Sequence, residues 1–270
     1  MKVLRTEWLK IKSYPAFWGI MIMTALSYPG INYIFWNIYK DLTQRKNQAG
    51  QIAKLLLGNP FAYPETYHTT AYFSSFFVFI PAIVVIMLVT NEYTYKTHRQ
   101  NIIDGWSRDQ FLMSKFFDVL LITLMVTVLY LSIAIVIGII ASPNSTVSMW
   151  SNSGYIGLFA LQTFSHLSIA FLVGFVVRRS FIALGIFVFY YIIVENMIVG
   201  YSKYKLDDIG RFMPLEIADR MIPVPVFLGK MDEKAYKASL ANIPQQILLT
   251  FVVIAVVWSI CYFTNKKRDL

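Results

Sequence analysis

The 270-residue chain is 57% hydrophobic and only 14% charged, with a mean hydropathy of +0.54, whereas a soluble domain carries about 25% charge. That composition excludes an ordinary soluble domain and points to an all-α integral membrane protein. The net charge of +9 is spread along the flanks of apolar runs and not gathered in one stripe, so no nucleic-acid partner is expected.

Residues 1–12 open the chain with "VLRTEWLKIK" after Met1 and Lys2, in which Leu4, Trp8 and Ile11 fall on one helical face while Lys2, Arg5 and Lys12 can reach phosphates. An interfacial helix lying on membrane lipids is expected there, followed by a retained span and not a cleaved signal. Spans are expected at about 16–36, 71–90, 116–141, 155–177, 181–199 and 245–263, each near the roughly 20 residues a bilayer requires. The charge-free interval from Val119 to Val177 holds two of them, because the turn formers of "SPNSTVSMWSNSG" divide it. Pro29 and Pro81 fall inside the first and second spans, as kinks or as static features. Between the first two spans, Asn37 to Thr70 is expected to prolong the first helix and turn at Gly58, Asn59 and Pro60.

Six spans place both termini on one side. If that side is cytoplasmic, its short segments hold 13 basic residues against 5 acids, while the outer loops hold 11 basic and 8 acidic residues over longer stretches. The positive-inside rule therefore sets the termini in the cytoplasm of the inner or plasma membrane.

The stretch "NIIDGWSRDQF" (Asn101 to Phe111) is punctuated for a sharp elbow. Gly105 suits the left-handed residue that ends one helix, expected from about Tyr95 to Asp104. Ser107 with Gln110 forms a capping-box pattern that starts the next, with Trp106 and Phe111 spaced as a hydrophobic staple. Ile102, Ile103 and Trp106 offer apolar contact and Arg99, Arg108 and Lys115 offer charge, which suits either another protein or lipid headgroups.

The longer run "NEYTYKTHRQNIIDGWSRDQFLMSK" resembles the region between the second and third spans of ABC-2 type transporter permeases. Glu92, Thr97, Ile102, Ile103, Gly105, Ser107, Arg108 and Lys115 match that pattern in order. The resemblance implies a cytoplasmic coupling helix seated on a separate ABC ATPase subunit, with a smaller contact from the loop between spans four and five, here Arg178, Arg179 and Ser180. It also implies a second permease chain, identical or similar, and Mg-ATP bound by the ATPase partner and no cofactor in this chain. The sequence itself has no GxxxxGK[ST] phosphate loop. Export of a hydrophobic or amphiphilic substrate follows from the resemblance. A membrane scaffold passing ATPase motion to a periplasmic or extracellular partner is the alternative, since related permeases of copper-enzyme maturation and gliding motility look similar.

Two ionisable residues lie at membrane depth, His166 in the fourth span and Glu195 toward the outer end of the fifth. They read as an intramembrane polar site, on which an ion-coupled transporter would depend, or as a satisfied pair, or as a glutamate snorkelling outward. Asp118, at the entrance of the third span, is expected to stay hydrated. Beyond Gly200 the prolines of "MPLEIADRMIPVPVF" bracket short helical or re-entrant stretches, which form an outer gate or a solvated cap. No catalytic constellation and no metal-binding spacing is present: there is no HExxH or GxSxG, and Cys261 is the one cysteine.

Overall fold

A computed structural model describes residues 2–44, 51, 57–142, 149–205 and 208–267, with residues 2–5 by backbone only. Every regular element among them is helical: α1 (Lys2–Lys12), α2 (Pro15–Thr43), α3 (Thr66–Ser75), α4 (Phe79–Thr94), α5 (Thr97–Ile103), α6 (Arg108–Ala141) and α7 (Gly154–Val177). Then α8 (Ser180–Phe189) joins α9 (Glu195–Lys205) through a π-helical turn, and a 3₁₀ turn, α10 (Pro214–Asp219) and α11 (Val226–Gly229) lead to α12 (Glu233–Lys267).

Among the described residues, four rods are long and apolar enough to cross a membrane, namely α6, α7, the α8–α9 rod and α12, and α3 with α4 make a fifth if the bent pair is one span. With 29 residues α2 is long enough, but Tyr28, Pro29, Asn32 and Tyr33 dilute its apolar run, and it falls outside that set. The second expected span is broken, its halves meeting at 52°. Pro81 accounts for the break, because it lacks an N–H and its ring crowds the carbonyl four residues back, that of Phe77. Around it Phe77, Val78 and Ile80 donate to carbonyls only three residues back, at 3.1, 3.2 and 3.0 Å. Pro29, by contrast, sits inside a helix that runs on to Thr43.

The central helix is α7, packed against α4, α6 and α12. Its approach to α4 is close because Gly174 has no side chain; a Cβ there would stand 2.6 Å from Val89 Cγ1. Aromatic rings fill the spaces around it, with Phe171 stacked on Trp258 at 4.9 Å and Phe159 tilted on Tyr130 at 4.4 Å. The α8–α9 rod and α12 flank this core, contribute Ala183, Phe187, Val257 and Cys261 to it, and present Phe181, Ile186, Phe251 and Val256 outward.

Helix α1 and the close of α12 lie at one end of the bundle, here the terminal end. There Glu7 of α1 pairs with Lys115 of α6, and Arg108 donates to the carbonyls of Asn265 and Lys266 at the close of α12. At the opposite end the expected short elements fold back against α7 and α12, with Pro214 in the first turn of α10 and Pro225 just before α11. The first long helix does extend past Trp36, to Thr43, and Gly58 turns with a φ of +65°. Most of the stretch between them, and residues 143–148 of the turn cluster before α7, lie outside the described residues.

Candidate functional site

The elbow between α4 and α6 is built from two locally specified helix ends. Lys96, in the left-handed region with φ 55°, ends the first helix, and α5 starts two residues later than the expected Tyr95. At the close of α5, the Trp106 N–H donates to the Asn101 carbonyl at 3.0 Å and the Gly105 N–H to that of Ile102 at 3.1 Å. With Gly105 at φ +97° this is a Schellman motif, which satisfies carbonyls the helix leaves unpaired. Two residues on, Ser107 Oγ accepts from the Gln110 N–H at 3.1 Å, and Gln110 Oε1 accepts from the Ser107 N–H at 3.0 Å. The capping box expected from the sequence is therefore complete, and the 34-residue helix α6 starts from it.

Beside the elbow is an open cavity of about 490 Å³. Its walls bring together Lys96, Arg99, Ile102 and Arg108 of the elbow region with Arg178 and Arg179 of the turn between α7 and α8. Arg178 ends α7 with φ 60°, its N–H bonded to the Gly174 carbonyl and its guanidinium 4.9 Å from the centre of the Tyr93 ring. Arg108 is anchored on the end of α12. Five basic side chains thus share a groove whose described lining contains no carboxylate. The remaining elbow residues lie elsewhere. Ile103 projects outward, 83% exposed, Thr97 lines a different, smaller cavity, and Trp106 lies under the Lys10 ammonium, 5.6 Å from its ring centre.

The family model for ABC-2 family transporter proteins matches residues 3–194. The chain belongs to that family. The match runs from α1 through the π-helical turn, so it takes in the elbow and the basic residues of the groove and stops before α9, α10, α11 and α12. No curated protein matches the chain.

A second constellation of this ABC-2 transporter protein was not anticipated from its sequence. Lys115 Nζ contacts Glu7, lies 2.7 Å from Glu92 Oε1 and 3.0 Å from Asp118 Oδ2, while Lys10 Nζ lies 2.8 Å from Glu7 and 3.1 Å from Glu92. Glu7, Glu92, Lys115 and Asp118 are all buried. The expectation that Asp118 stays hydrated is therefore corrected: α1 packs across the start of α6 and covers it. Burial pushes the Glu7 carboxyl up, but Lys115 and Lys10 more than offset this and hold it below the ordinary carboxylate value. The only local signals were the Glu7–Lys10 and Lys115–Asp118 spacings of three residues, which suit neighbours on a helix. Nothing in the spacing joins Glu7 to residues 85 and 108 positions away.

The two intramembrane residues are both buried, and each has its own partners. His166 is fully buried, with Nε2 3.2 Å from Asp219 Oδ1 and Nδ1 2.8 Å from the Gln162 carbonyl. Gln162 Nε2 donates to the same Asp219 oxygen at 2.7 Å. Glu195 is buried and does not snorkel; its Oε1 accepts the Leu215 and Glu216 N–H groups at 2.8 and 2.7 Å. Each of the two residues thus holds part of the returning segment, and their partners are Asp219 and the start of α10 in place of each other.

Proposed function

We propose that this chain is the transmembrane permease subunit of an ABC exporter, set in the inner or plasma membrane with both termini cytoplasmic and α2 as a sixth span. A separate ABC ATPase subunit docks on the terminal end, binding Mg-ATP itself, and a second permease chain completes the pathway for a hydrophobic or amphiphilic substrate. The observation that carries this reading is the groove in which α5 and the Arg178–Arg179 turn meet. These are the two segments that the resemblance assigns to ATPase contact, and they are 80 residues apart in sequence but line one surface.

The local geometry suits a lever. A Schellman motif on one side of Trp106 and a capping box on the other leave few free torsions between α5 and α6. Closure of two ATPase subunits would push on α5, and the push passes through the elbow into a single helix of 34 residues. Ile103 supplies an apolar knob and Ile102 an apolar wall of the basic groove, a mixture that fits an apolar patch rimmed by acidic side chains on the ATPase.

Co-purification tests the reading. Replacing both Ile102 and Ile103 with Asp is expected to abolish retention of the ATPase while the permease still inserts. Charge reversal through Arg178→Glu with Arg179→Glu is expected to weaken retention, most at low salt, where charge pairing between exposed groups is strongest. If both double variants retain the ATPase at wild-type level, the groove is not the dock.

A further inference from the structure

Asp118 lines two neighbouring cavities. One, of about 170 Å³, holds the ion-pair cluster and is lined by Glu7, Lys10, Glu92, Lys115 and Asp118 together with Ile11, Tyr14 and Leu88 among others. Within ion-pair distance there, three carboxylates share two ammonium groups. Lys115 alone serves all three acids, and Glu92 Oε2 is buried without a hydrogen-bond partner among the described residues. The other cavity, of about 380 Å³, is lined by Trp8, Phe117, Asp118, Leu120, Leu121 and Leu124. Apart from Asp118 its walls are large apolar side chains, and Phe117, Leu120 and Leu124 are exposed on α6, a helix apolar enough to span a membrane. Trp8 belongs to α1, which carries Lys10 and Lys12 in its last turn.

A carboxylate at the root of an apolar, lipid-facing crevice is costly unless a cation meets it. The described residues provide one cation fewer than the cluster has acids. We propose that the crevice is a binding site for a lipophilic cation, with its positive charge against Asp118 and its apolar body against Trp8, Leu120 and Leu124. An anion of the same size would meet the surplus carboxylate and be rejected. Binding at the crevice is independent of the ATPase dock; that the bound cation is transported cargo rests on the permease reading.

The test uses the full chain in phosphatidylcholine nanodiscs, with radiolabelled tetraphenylphosphonium as the probe and empty nanodiscs as the partition blank. Tetraphenylborate, nearly identical in shape and opposite in charge, is the control. Saturable binding of the cation and none of the anion is expected. Asp118→Asn should weaken cation binding about tenfold or more, the effect of removing one partner of a desolvated charge pair. Leu120→Trp should do the same by filling the crevice, and because it alters a lipid-exposed residue outside the ion pairs it remains informative if Asp118→Asn proves unstable. Equal saturable binding of both probes, no saturable binding of the cation, or undiminished binding in either folded variant overturns the proposal. Loss of binding in Asp118→Asn with full binding in Leu120→Trp would confine the cation to the cavity that holds the ion-pair cluster and equally reject the crevice. ATPase co-purification, measured in parallel, separates failure of the crevice from failure of the permease assignment.

Discussion

At the terminal end three carboxylates meet two side-chain ammonium groups, whereas at the opposite end one oxygen of Glu195 accepts the backbone N–H groups of Leu215 and Glu216, and Asp219 accepts from Gln162 beside His166. The two arrangements follow from what each docked piece offers. The side of α1 that faces α6 belongs to a completed helix with no spare backbone donors, so only side chains can tie it down. The short helix α10 presents the unpaired N–H groups of its first turn, and an incoming carboxylate suits both their hydrogen bonding and the positive end of the helix. Ion pairing fastens the terminal helix, and helix capping fastens the returning segment.

That contrast can be broken most severely at Lys115. Lys115→Met leaves three buried carboxylates with Lys10 alone, and breaking a buried pair in this way costs about 3–5 kcal/mol. A marked fall in the thermal unfolding midpoint of the purified protein is expected, together with new protease cleavage near α1. An unchanged midpoint would mean that α1 is held by its apolar contacts only.

Acid gives a graded version of the same experiment. Because the native Glu7 carboxyl is held below its ordinary value, its contribution is complete above roughly pH 4.3, the unfolded glutamate value, and is lost as pH falls through the lowered native value. Asp208 is likewise held low, by its bonds to Arg220, and carries the same sign at the opposite end. Its side chain is a third exposed, however, so solvent and salt screen it. Protease access to α1 should therefore rise in acid more than access to the 208–220 segment, and added salt should blunt only the latter change.

The smallest effect is expected at Glu195. In Glu195→Gln the amide oxygen can still accept from Leu215 and Glu216, so only the charge-assisted part of the contact disappears, about 1 kcal/mol. Transport and expression should stay substantially intact. Complete loss of transport with normal insertion would give Glu195 a role beyond capping and would restore the ion-coupled alternative.

Much of the architecture was legible because it is local. Long runs free of charge must be helical in lipid, where each backbone group has to be satisfied within its own segment, and α6, α7 and α12 lie where those runs do. The turn at Gly105 and the start at Ser107 are encoded within a few residues, and both took the expected form. Pro81 marked a break for the same reason, since its missing N–H acts on the turn just before it. Other elements were only partly legible. The fifth rod was visible as an apolar run, but its π-helical turn at Tyr190–Val194 was not, because propensity does not distinguish a one-residue change in hydrogen-bond register.

The sequence by itself determined the membrane class, most helix positions and the helix stop and start around Gly105 and Ser107, because hydropathy, capping and proline chemistry act over one span or less. Only the tertiary structure decided that Asp118 is covered by α1, that Lys115 is shared by Glu7, Glu92 and Asp118, and that Arg178 and Arg179 join the elbow in one groove. It alone turned His166 toward Asp219 and Glu195 toward α10. Apart from Lys115 with Asp118, three positions apart, these contacts depend on how each helix is rotated and which neighbours it packs against, and side chains 20 or more positions apart carry no spacing from which that rotation can be read.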